Sequence, residues 1–246
     1  RDNTPARITK RWAYFGDVGV LAAKNLLSPS LGKEIGHNYA EACQSYIKIV
    51  PKPCLTCPIA CSYKATVTSG PRKGFVATLA GGGENMEGAA AMVAVTEPAD
   101  IIWLTELYDR LGLNGSSAGS AVALAFECYE RGLLTREDTD GLELRWGNAE
   151  AAAALVKKLA TREGFGQVLA DGPKKAAERI GGEAPNYAVH IKGAGFNLHD
   201  WRGRYAKILE QTVAGAGPRH EGMAPDGFSP TPSKIEGAAE TVARTQ

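Results

Sequence analysis

The pattern of apolar and polar residues along this chain predicts several times more helix than strand. Two short helices are expected over residues 17–27 and 35–49. The best strand-like pieces, YKATVTSG and GFVATLA, lie within residues 63–80 and are able to pair as a hairpin. The glycine triplet 81–83 then interrupts regular structure, because glycine leaves the backbone unrestricted.

An apolar run, residues 90–96, leads towards a helix with the sequence IIWLTELYDRLG. Asp100 is expected to cap the start of this helix and Gly112 to end it. The next helix, AGSAVALAFECYERG, has Ser116 or Ser117 as its expected cap. Its small residues would let another backbone approach closely.

Two further helices are expected in the second half of the chain. One runs from Asn148 through EAAAALVKKLATREG; the other, DGPKKAAERIGG, has Asp171 as its cap, Pro173 in its first turn and Gly181 at its end. No G-x-G-x-x-G lies between a strand and a helix, so a dinucleotide-binding fold is without support. The expected fold class is mainly α with a small β-hairpin.

The composition is ordinary for a globular protein of 246 residues, with 44% hydrophobic and 22% charged residues. The 28 Lys and Arg nearly balance the 27 Asp and Glu, and no basic block is present, so nucleic acid is a poor candidate partner. The sequence has no apolar run of membrane-spanning length and no signal-like start, so a cytoplasmic location is expected. Because the chain begins with Arg1 rather than Met, we expect a fragment of a longer protein.

Three of the five cysteines, Cys54, Cys57 and Cys61, form C-x-x-C-x-x-x-C in a loop that prolines make rigid. Such clustering favours metal binding over a disulfide framework, which would spread cysteines in pairs. Thiolates suit a [4Fe–4S] cluster or zinc, and three reduced structural thiols are the third alternative. The cluster is favoured, because structural zinc normally takes two separated pairs of ligands and no second pair is present here.

The other two cysteines, Cys43 and Cys128, lie in the helical patterns AEACQSY and AFECYER. Each is expected to be a small buried hydrophobic residue, as free cysteine usually is. Either also stays a candidate for a fourth cluster ligand.

The segment CLTCPIAC is followed by GGGENMEGAA and then by YDRLGLNGSSAG. That order and spacing resemble the aldehyde:ferredoxin oxidoreductase family of tungsten- or molybdenum-pterin enzymes. The likeness continues through ELRWGNAEAAAALVKKLATREGFGQVLADGPKKAAERIG and HIKGAGFNLHDWRGR, and it covers most of residues 17–222. The resemblance implies helical domains of the family's type, with the hairpin near an iron–sulfur loop.

By this resemblance, Cys54, Cys57 and Cys61 ligate a [4Fe–4S] cluster beside a tungsten or molybdenum bis-pterin cofactor. Asp109 would accept hydrogen bonds from the pterin, because a carboxylate can take two donors at once. The plain alternative for Asp109 is a solvated residue near a helix C-terminus, where its charge opposes the helix dipole.

The next residues of the same motif are also implied to contact the pterin. Gly112 and Leu113 would bring backbone against the cofactor, glycine because a close approach leaves no room for a Cβ. Asn114 stands where the family usually has a second Asp in D-x-x-G-L-D, so a hydrogen-bonding group is kept and the charge is lost.

Glu84 follows three glycines and is the leading candidate for the active-site acid or base, with Glu87 as the alternative one turn later. The competing interpretation is a carboxylate that the helix dipole favours at a helix start. His220 lies where the family places a histidine segment near the metal, and it is the second catalytic candidate, although a lone histidine is more often structural. His190 and His199 flank the HIKGAGFNLHD stretch.

Three segments are expected: residues 1–98 with the cluster and the active-site loop, residues 99–226 as a helical pterin-contacting region, and residues 227–246 as a tail or linker. The family's N-terminal β-rich domain is absent from these residues. So is a later segment with a second D-x-x-G-L motif and a fourth cysteine. We expect a longer chain or another subunit to supply them.

Three functions follow from these observations. The first is oxidation of an aldehyde to a carboxylic acid, with electrons passed to ferredoxin or a partner subunit in a homo- or hetero-oligomer. The second is low-potential reduction of an aromatic acyl-CoA by a subunit of the same family. The third, from another class, is a non-catalytic helical module stapled by zinc.

Overall fold

The computed structural model describes residues 5–56, 61–79, 83–196, 198–203, 205–213 and 215. Within them the predicted predominance of helix is confirmed. The α-helices are α1 (Pro5–Asp17), α2 (Pro29–Ser45), α3 (Glu84–Ala89), α4 (Pro98–Arg110), α5 (Gly115–Glu130), α6 (Ala149–Thr161), α7 (Gly166–Leu169), α8 (Pro173–Ile180) and α9 (Tyr205–Val213). The strands are β1 (Ile47–Pro51), β2 (Tyr63–Val67), β3 (Val76–Leu79), β4 (His190–Ile191) and β5 (Ala194–Gly195).

The predicted hairpin is confirmed as β2 and β3, which pair antiparallel. A third strand, β1, joins the other edge of β2, so the sheet order is β1-β2-β3. The sequence interpretation missed β1 by extending a helix to residue 49. The chain leaves α2 at Ser45 instead, because the β-branched run that follows alternates with a buried Ile47 and an exposed Lys48, as a half-buried strand requires.

The predicted helix over residues 17–27 is wrong. Lys24, Asn25 and Leu26 all take positive φ angles, which no α-helix allows. The backbone N–H groups of Lys24 and Asn25 donate to the carbonyls of Ala91 and Met92, over 3.0 and 2.9 Å. Hydrogen bonds to the apolar segment after α3 therefore replace the local helical ones, and this pairing is invisible in local sequence.

Three predicted helix caps are wrong, and each is replaced by a residue nearby. Glu97 rather than Asp100 caps α4, with Pro98 at the first helical position. Asn114, rather than Ser116 or Ser117, caps α5 by accepting the N–H of Ser117 over 2.8 Å. Both replacements lie where a side-chain acceptor meets the first free N–H groups of a helix.

The remaining predicted helix ends are mostly confirmed. Asn148 caps α6, Gly181 follows α8, and Gly112 takes a φ of +67° just beyond α4, which favours glycine. The third wrong cap is Asp171. Gly172 occupies the position before α8 where Asp171 was expected. The Asp171 carboxylate pairs with two arginines instead, and these hold its pKa down to about 2.

One connected apolar core runs from Trp12 in α1 to Leu198, with α5 through its centre. The helices α3 and α5 meet backbone to backbone, since a Cβ on Gly88 would lie 2.0 Å from the carbonyl oxygen of Gly115. A Cβ on Gly119 would lie 2.4 Å from the carbonyl oxygen of Gly88. This close contact fixes the position of α3. In the described part of the chain, no helix has the length and apolar character needed to cross a bilayer.

Candidate active site

The cysteine loop and the Glu84 segment emerge at the same end of the three-stranded sheet. Tyr63 pairs with Pro51 on one side and with Leu79 on the other. The loop that carries the cysteines joins Pro51 to Tyr63, and the glycine-rich segment before Glu84 follows Leu79. The strand register therefore brings the two motifs, 23 residues apart between Cys61 and Glu84, to one edge of the fold.

The helix α3 presents two carboxylates on one face. Gly83 precedes it with a φ of +91°, a conformation suited to glycine, and Glu84 and Glu87 follow three residues apart. Their environments differ sharply: the Glu87 side chain is 1% exposed and the Glu84 side chain is 26% exposed. One carboxylate is thus enclosed in the protein, and the other faces the surface of this chain.

The side chain of His199 lies between these two carboxylates. Its Nδ1 is 2.5 Å from Oε1 of Glu87, and its Nε2 is 3.6 Å from Oε1 of Glu84. The second oxygen of Glu87 accepts the backbone N–H of Ala22 over 3.0 Å. Glu87 is therefore held by a backbone donor and an imidazole, a suitable setting for a buried anion.

Aromatic rings fix the orientation of the His199 imidazole. Phe15 and Trp201 each contact it edge to face, with ring centroids at 4.8 and 5.0 Å. Burial lowers the pKa of His199, but the charge of Glu87, its hydrogen bond and the charge of Glu84 outweigh burial, so the pKa is raised above 6.5. His199 is therefore biased towards the imidazolium form.

Asn85 connects the start of α3 to the end of α4. Its Nδ2 donates to Oδ1 of Asp109 over 2.9 Å, and its Oδ1 accepts the N–H of Gly115 over 3.3 Å. Burial raises the pKa of Asp109, and the nearby Glu106 adds to the effect, while the hydrogen bond from Asn85 lowers it. Asp109 thus lies in the last turn of α4, where the sequence placed it, and Asn85 binds one of its two oxygens.

The other residues of the predicted pterin motif lie directly after Asp109. Leu113 and Asn114 line a groove together with Ser117 of α5 and Leu169. The Asn114 side chain is engaged at the start of α5, since its oxygen accepts from the backbone of that helix. The groove encloses about 160 Å³, which is below the roughly 300 Å³ at which ligand pockets begin. These described residues are able to form one wall of a cofactor site.

The cysteine loop faces away from the core. Cys54 and Cys61 are exposed, and Leu55 between them is 94% exposed. Cys57 lies outside the described residues, and among those that are described no three Cys, His, Asp or Glu side chains converge as metal ligands. The donor chemistry fits an iron–sulfur cluster, because thiolates are the ligands that such clusters take and the flanking strands β1 and β2 fix both ends of the loop.

The two remaining cysteines lie on helices rather than in the cysteine loop. Cys128 is fully buried in α5, as predicted, and Cys43 is partly exposed on α2. Burial raises the pKa of the Cys128 thiol to about 11 and that of Cys43 to about 12. Burial therefore favours the protonated thiol at both positions.

The three histidines other than His199 lie in different surroundings. His220 lies outside the described residues. Nδ1 of His190 is buried without a hydrogen-bond partner, and the exposed His37 pairs with Asp17 over 2.9 Å. Sequence reasoning gave His199 no role and did not single out Asn85. The segment GENMEG places two glutamates on one helix face, which indicates that an inner one would require a partner, but it identifies neither His199 nor the role of Asn85.

Known proteins are similar to this chain in sequence and in fold. The family described as aldehyde ferredoxin oxidoreductase, domains 2 and 3, matches residues 9–246. An aliphatic sulfonate oxidoreductase, WOR-like subunit, of Pyrococcus furiosus is 35% identical over 174 residues, which are 68% of this chain and 28% of that protein. A tungsten-containing aldehyde ferredoxin oxidoreductase of Pyrococcus abyssi is 34% identical over 171 residues, 66% of this chain and 26% of that protein.

A solved structure gives the same result for the fold. The active site complex BamBC of benzoyl coenzyme A reductase, in complex with 1,5-dienoyl-CoA, has a chain that matches with a TM-score of 0.59 and 25% identity. The match covers 84% of this chain and 31% of that one. This chain thus spans less than a third of the length of each of these relatives. Because the family matches all but its first eight residues, the chain belongs to the aldehyde ferredoxin oxidoreductase family and comprises residues of domains 2 and 3.

Proposed function

We propose that this chain is the part of a tungsten- or molybdenum-pterin oxidoreductase that ligates a [4Fe–4S] cluster and lines the site where an aldehyde becomes a carboxylic acid. Cys54, Cys57 and Cys61 hold the cluster, and Asp109, with the residues after it, contacts the pterin. A cluster held by these cysteines would supply the one-electron chemistry that ferredoxin or a partner subunit requires. Support for the aldehyde as substrate comes from the tungsten-containing aldehyde ferredoxin oxidoreductase of Pyrococcus abyssi.

One observation carries the proposal: the sheet register brings the two ends of the cysteine loop beside the segment that leads to Glu84, and Asn85 joins the start of α3 to Asp109. Tyr63 sets the register, and its hydroxyl also contacts Sδ of Met86 in α3 at 3.2 Å. Because the cluster, the carboxylate and the pterin contact serve one redox reaction, their convergence is what an oxidoreductase site requires.

The reaction balances with water as the oxygen source. One aldehyde and one water give one carboxylic acid, two protons and two electrons, and the electrons leave singly. When bound, the pterin-held metal would take up the electron pair, and the cluster would pass it on in single steps. Glu84 is the partly exposed carboxylate of the site and accepts one of the released protons.

Two other functions make different predictions. The similarity to the benzoyl coenzyme A reductase complex favours reduction of an aromatic acyl-CoA as the second candidate, with the same cluster and cofactor. The zinc-stapled module requires the cysteine loop to bind zinc and predicts no redox activity.

The test uses the complete protein, purified without oxygen. Iron, tungsten, molybdenum and zinc are measured per chain, and reduction of a one-electron viologen dye is followed with a panel of aldehydes. The proposal predicts iron with tungsten or molybdenum, and about two reduced dyes per aldehyde consumed. Oxidation of reduced dye coupled to reduction of an aromatic acyl-CoA, with no dye reduction by any aldehyde, would establish the second function. Zinc without iron would overturn both enzyme assignments.

A further inference from the structure

We propose that His199 is a positioning residue that keeps the Glu84 carboxylate ionised and directed for proton acceptance, with the buried Glu87 as its fixed counter-charge. This inference rests on the proposed function, which makes Glu84 the proton acceptor. We call the three side chains Glu84, His199 and Glu87, from the outermost to the innermost, the charge relay.

The order of the three groups carries the argument. The imidazole uses Nδ1 for Glu87, at 2.5 Å, and turns Nε2 towards Glu84, at 3.6 Å. Because the two glutamates lie three residues apart on α3, a single ring reaches both. At 3.6 Å the contact with Glu84 is an ion pair, whereas the contact with Glu87 is within hydrogen-bond distance.

Burial decides which member is fixed and which can respond to substrate. The side chains of Glu87 and His199 are 1% and 4% exposed, whereas that of Glu84 is 26% exposed. The backbone N–H of Ala22 holds the far oxygen of Glu87, and the two aromatic rings hold the imidazole. The inner pair is thus held in place by its neighbours, and Glu84 is the member of the three that is exposed enough for a substrate to reach.

Burial has the largest effect on the pKa of His199 and lowers it, and among the surrounding charges Glu87 has the largest effect and raises it. Arg11 of α1 opposes the positive charge of His199, and both glutamates of α3 favour it. Next in the chain, the buried Asp200 is bound by Arg202 through Nε over 2.8 Å, so its charge is already compensated. The N–H of Asp200 donates to the carbonyl of Val20 over 2.6 Å, which anchors this segment beside Ala22.

The relay predicts an order of effects that a structural role alone would not give. In His199→Asn the amide can still donate to Glu87. The positive charge of the imidazolium is lost, however, so the negative charge of Glu87 opposes ionisation of Glu84. In Glu87→Gln, His199 loses the carboxylate that most favours its charged form. The same change removes the negative charge that opposes ionisation of Glu84. Glu84 should therefore be hardest to ionise in the His199→Asn variant and intermediate in Glu87→Gln.

The test compares these variants with Glu127→Gln, which neutralises a buried carboxylate of α5 bound to Asn25 and Arg131. In the holoenzyme, the acid limb of kcat/KM against pH should move upward by about one unit in His199→Asn, since a nearby opposite charge shifts a carboxyl group by about one to three units. The shift should be smaller in Glu87→Gln and absent in Glu127→Gln. At high pH Glu127→Gln should match the wild-type rate, whereas His199→Asn should recover only part of it, because Glu84 is then ionised but no longer directed by the imidazole.

A second measurement needs no substrate. Because the pKa of His199 is raised in the folded protein, its stabilising contribution is complete below about pH 6.5 and is lost as pH rises through the folded-state value. The wild type and Glu127→Gln should therefore lose more thermal stability between pH 6 and pH 8 than His199→Asn and Glu87→Gln. This comparison remains valid if no aldehyde is turned over.

Two results would overturn the relay. One is a rate profile of unchanged shape that is scaled down equally at every pH, which would make His199 merely structural. The other is a pH dependence of unfolding that is identical in all four proteins. Loss of aldehyde turnover in the wild type would contradict the proposed function instead.

Discussion

Nδ2 of Asn85 lies 2.9 Å from Oδ1 of Asp109, so one amide ties the residue next to Glu84 to the carboxylate proposed to bind the pterin. The same amide accepts the N–H of Gly115 at the start of α5. Three helices therefore meet at one side chain. This arrangement makes Asn85 the main geometric link between the proton-accepting and cofactor-binding sides of the site.

Replacing Asn85 with Ala should impair the site more than the fold. Losing its two hydrogen bonds should cost about 1–2 kcal/mol of unfolding free energy. The freed Asp109 should lower kcat/KM by roughly tenfold to a hundredfold, because a misplacement of about 1 Å can cost that much. Denaturant unfolding and steady-state rates measure the two effects.

The matched control is Asn186→Ala, which removes an exposed amide that donates to Glu183 over 2.6 Å. It should leave kcat/KM unchanged and stability within about 0.5 kcal/mol of wild type. Equal losses of rate in both variants would show that Asn85 has no special part in the site.

The backbone contact between α3 and α5 predicts that Gly119→Ala is harmful. The added methyl group would lie 2.4 Å from the carbonyl oxygen of Gly88, so α3 must move. Overpacking of this kind costs about 1–3 kcal/mol. We expect a lower unfolding temperature and a reduced rate, because Glu84 moves with its helix.

The neighbouring Ser120 provides the contrast in the same helix. Its hydroxyl is buried without a hydrogen-bond partner in the described structure, so Ser120→Ala removes an unsatisfied polar group. We expect unchanged or slightly higher stability and a normal rate. A Gly119→Ala protein as stable as Ser120→Ala would contradict the packing described here.

Replacing Glu84 with Gln should remove the proton acceptor while keeping the size of the side chain. Loss of a general base typically costs about a hundredfold to ten-thousandfold in kcat. Iron and tungsten or molybdenum contents should stay at wild-type levels, since the change lies outside the proposed metal ligands. A Glu84→Gln enzyme with full activity would exclude Glu84 from the chemistry.

The sequence predicted best those features that depend on neighbours along the chain. The hairpin, the end of α4 at Gly112 and the cap of α6 at Asn148 each follow from local turn or capping preferences. The helical pattern also placed Asp109 near a helix C-terminus, and the structure has it in the last turn of α4. These features need no knowledge of what packs against them.

The features that the sequence missed depend on residues far apart in the chain. Residues 24–26 fail to form a helix because their backbone pairs with the segment after α3. His199 lies 112 positions from Glu87, and only the folded chain brings the two together. The sequence indicates that a buried glutamate in α3 would require a partner. Residue spacing along the chain does not identify that partner.

The central claim is that the cysteine loop beside this site holds an iron–sulfur cluster, and Cys61→Ser tests it most directly. Iron and acid-labile sulfide should be measured per chain in the oxygen-free holoenzyme, with Cys128→Ser as the control for a buried thiol. We predict about four iron atoms per chain in the wild type and in the control, and loss of both the cluster and dye reduction in Cys61→Ser. A Cys61→Ser protein that keeps its full iron content and its redox activity would contradict the account.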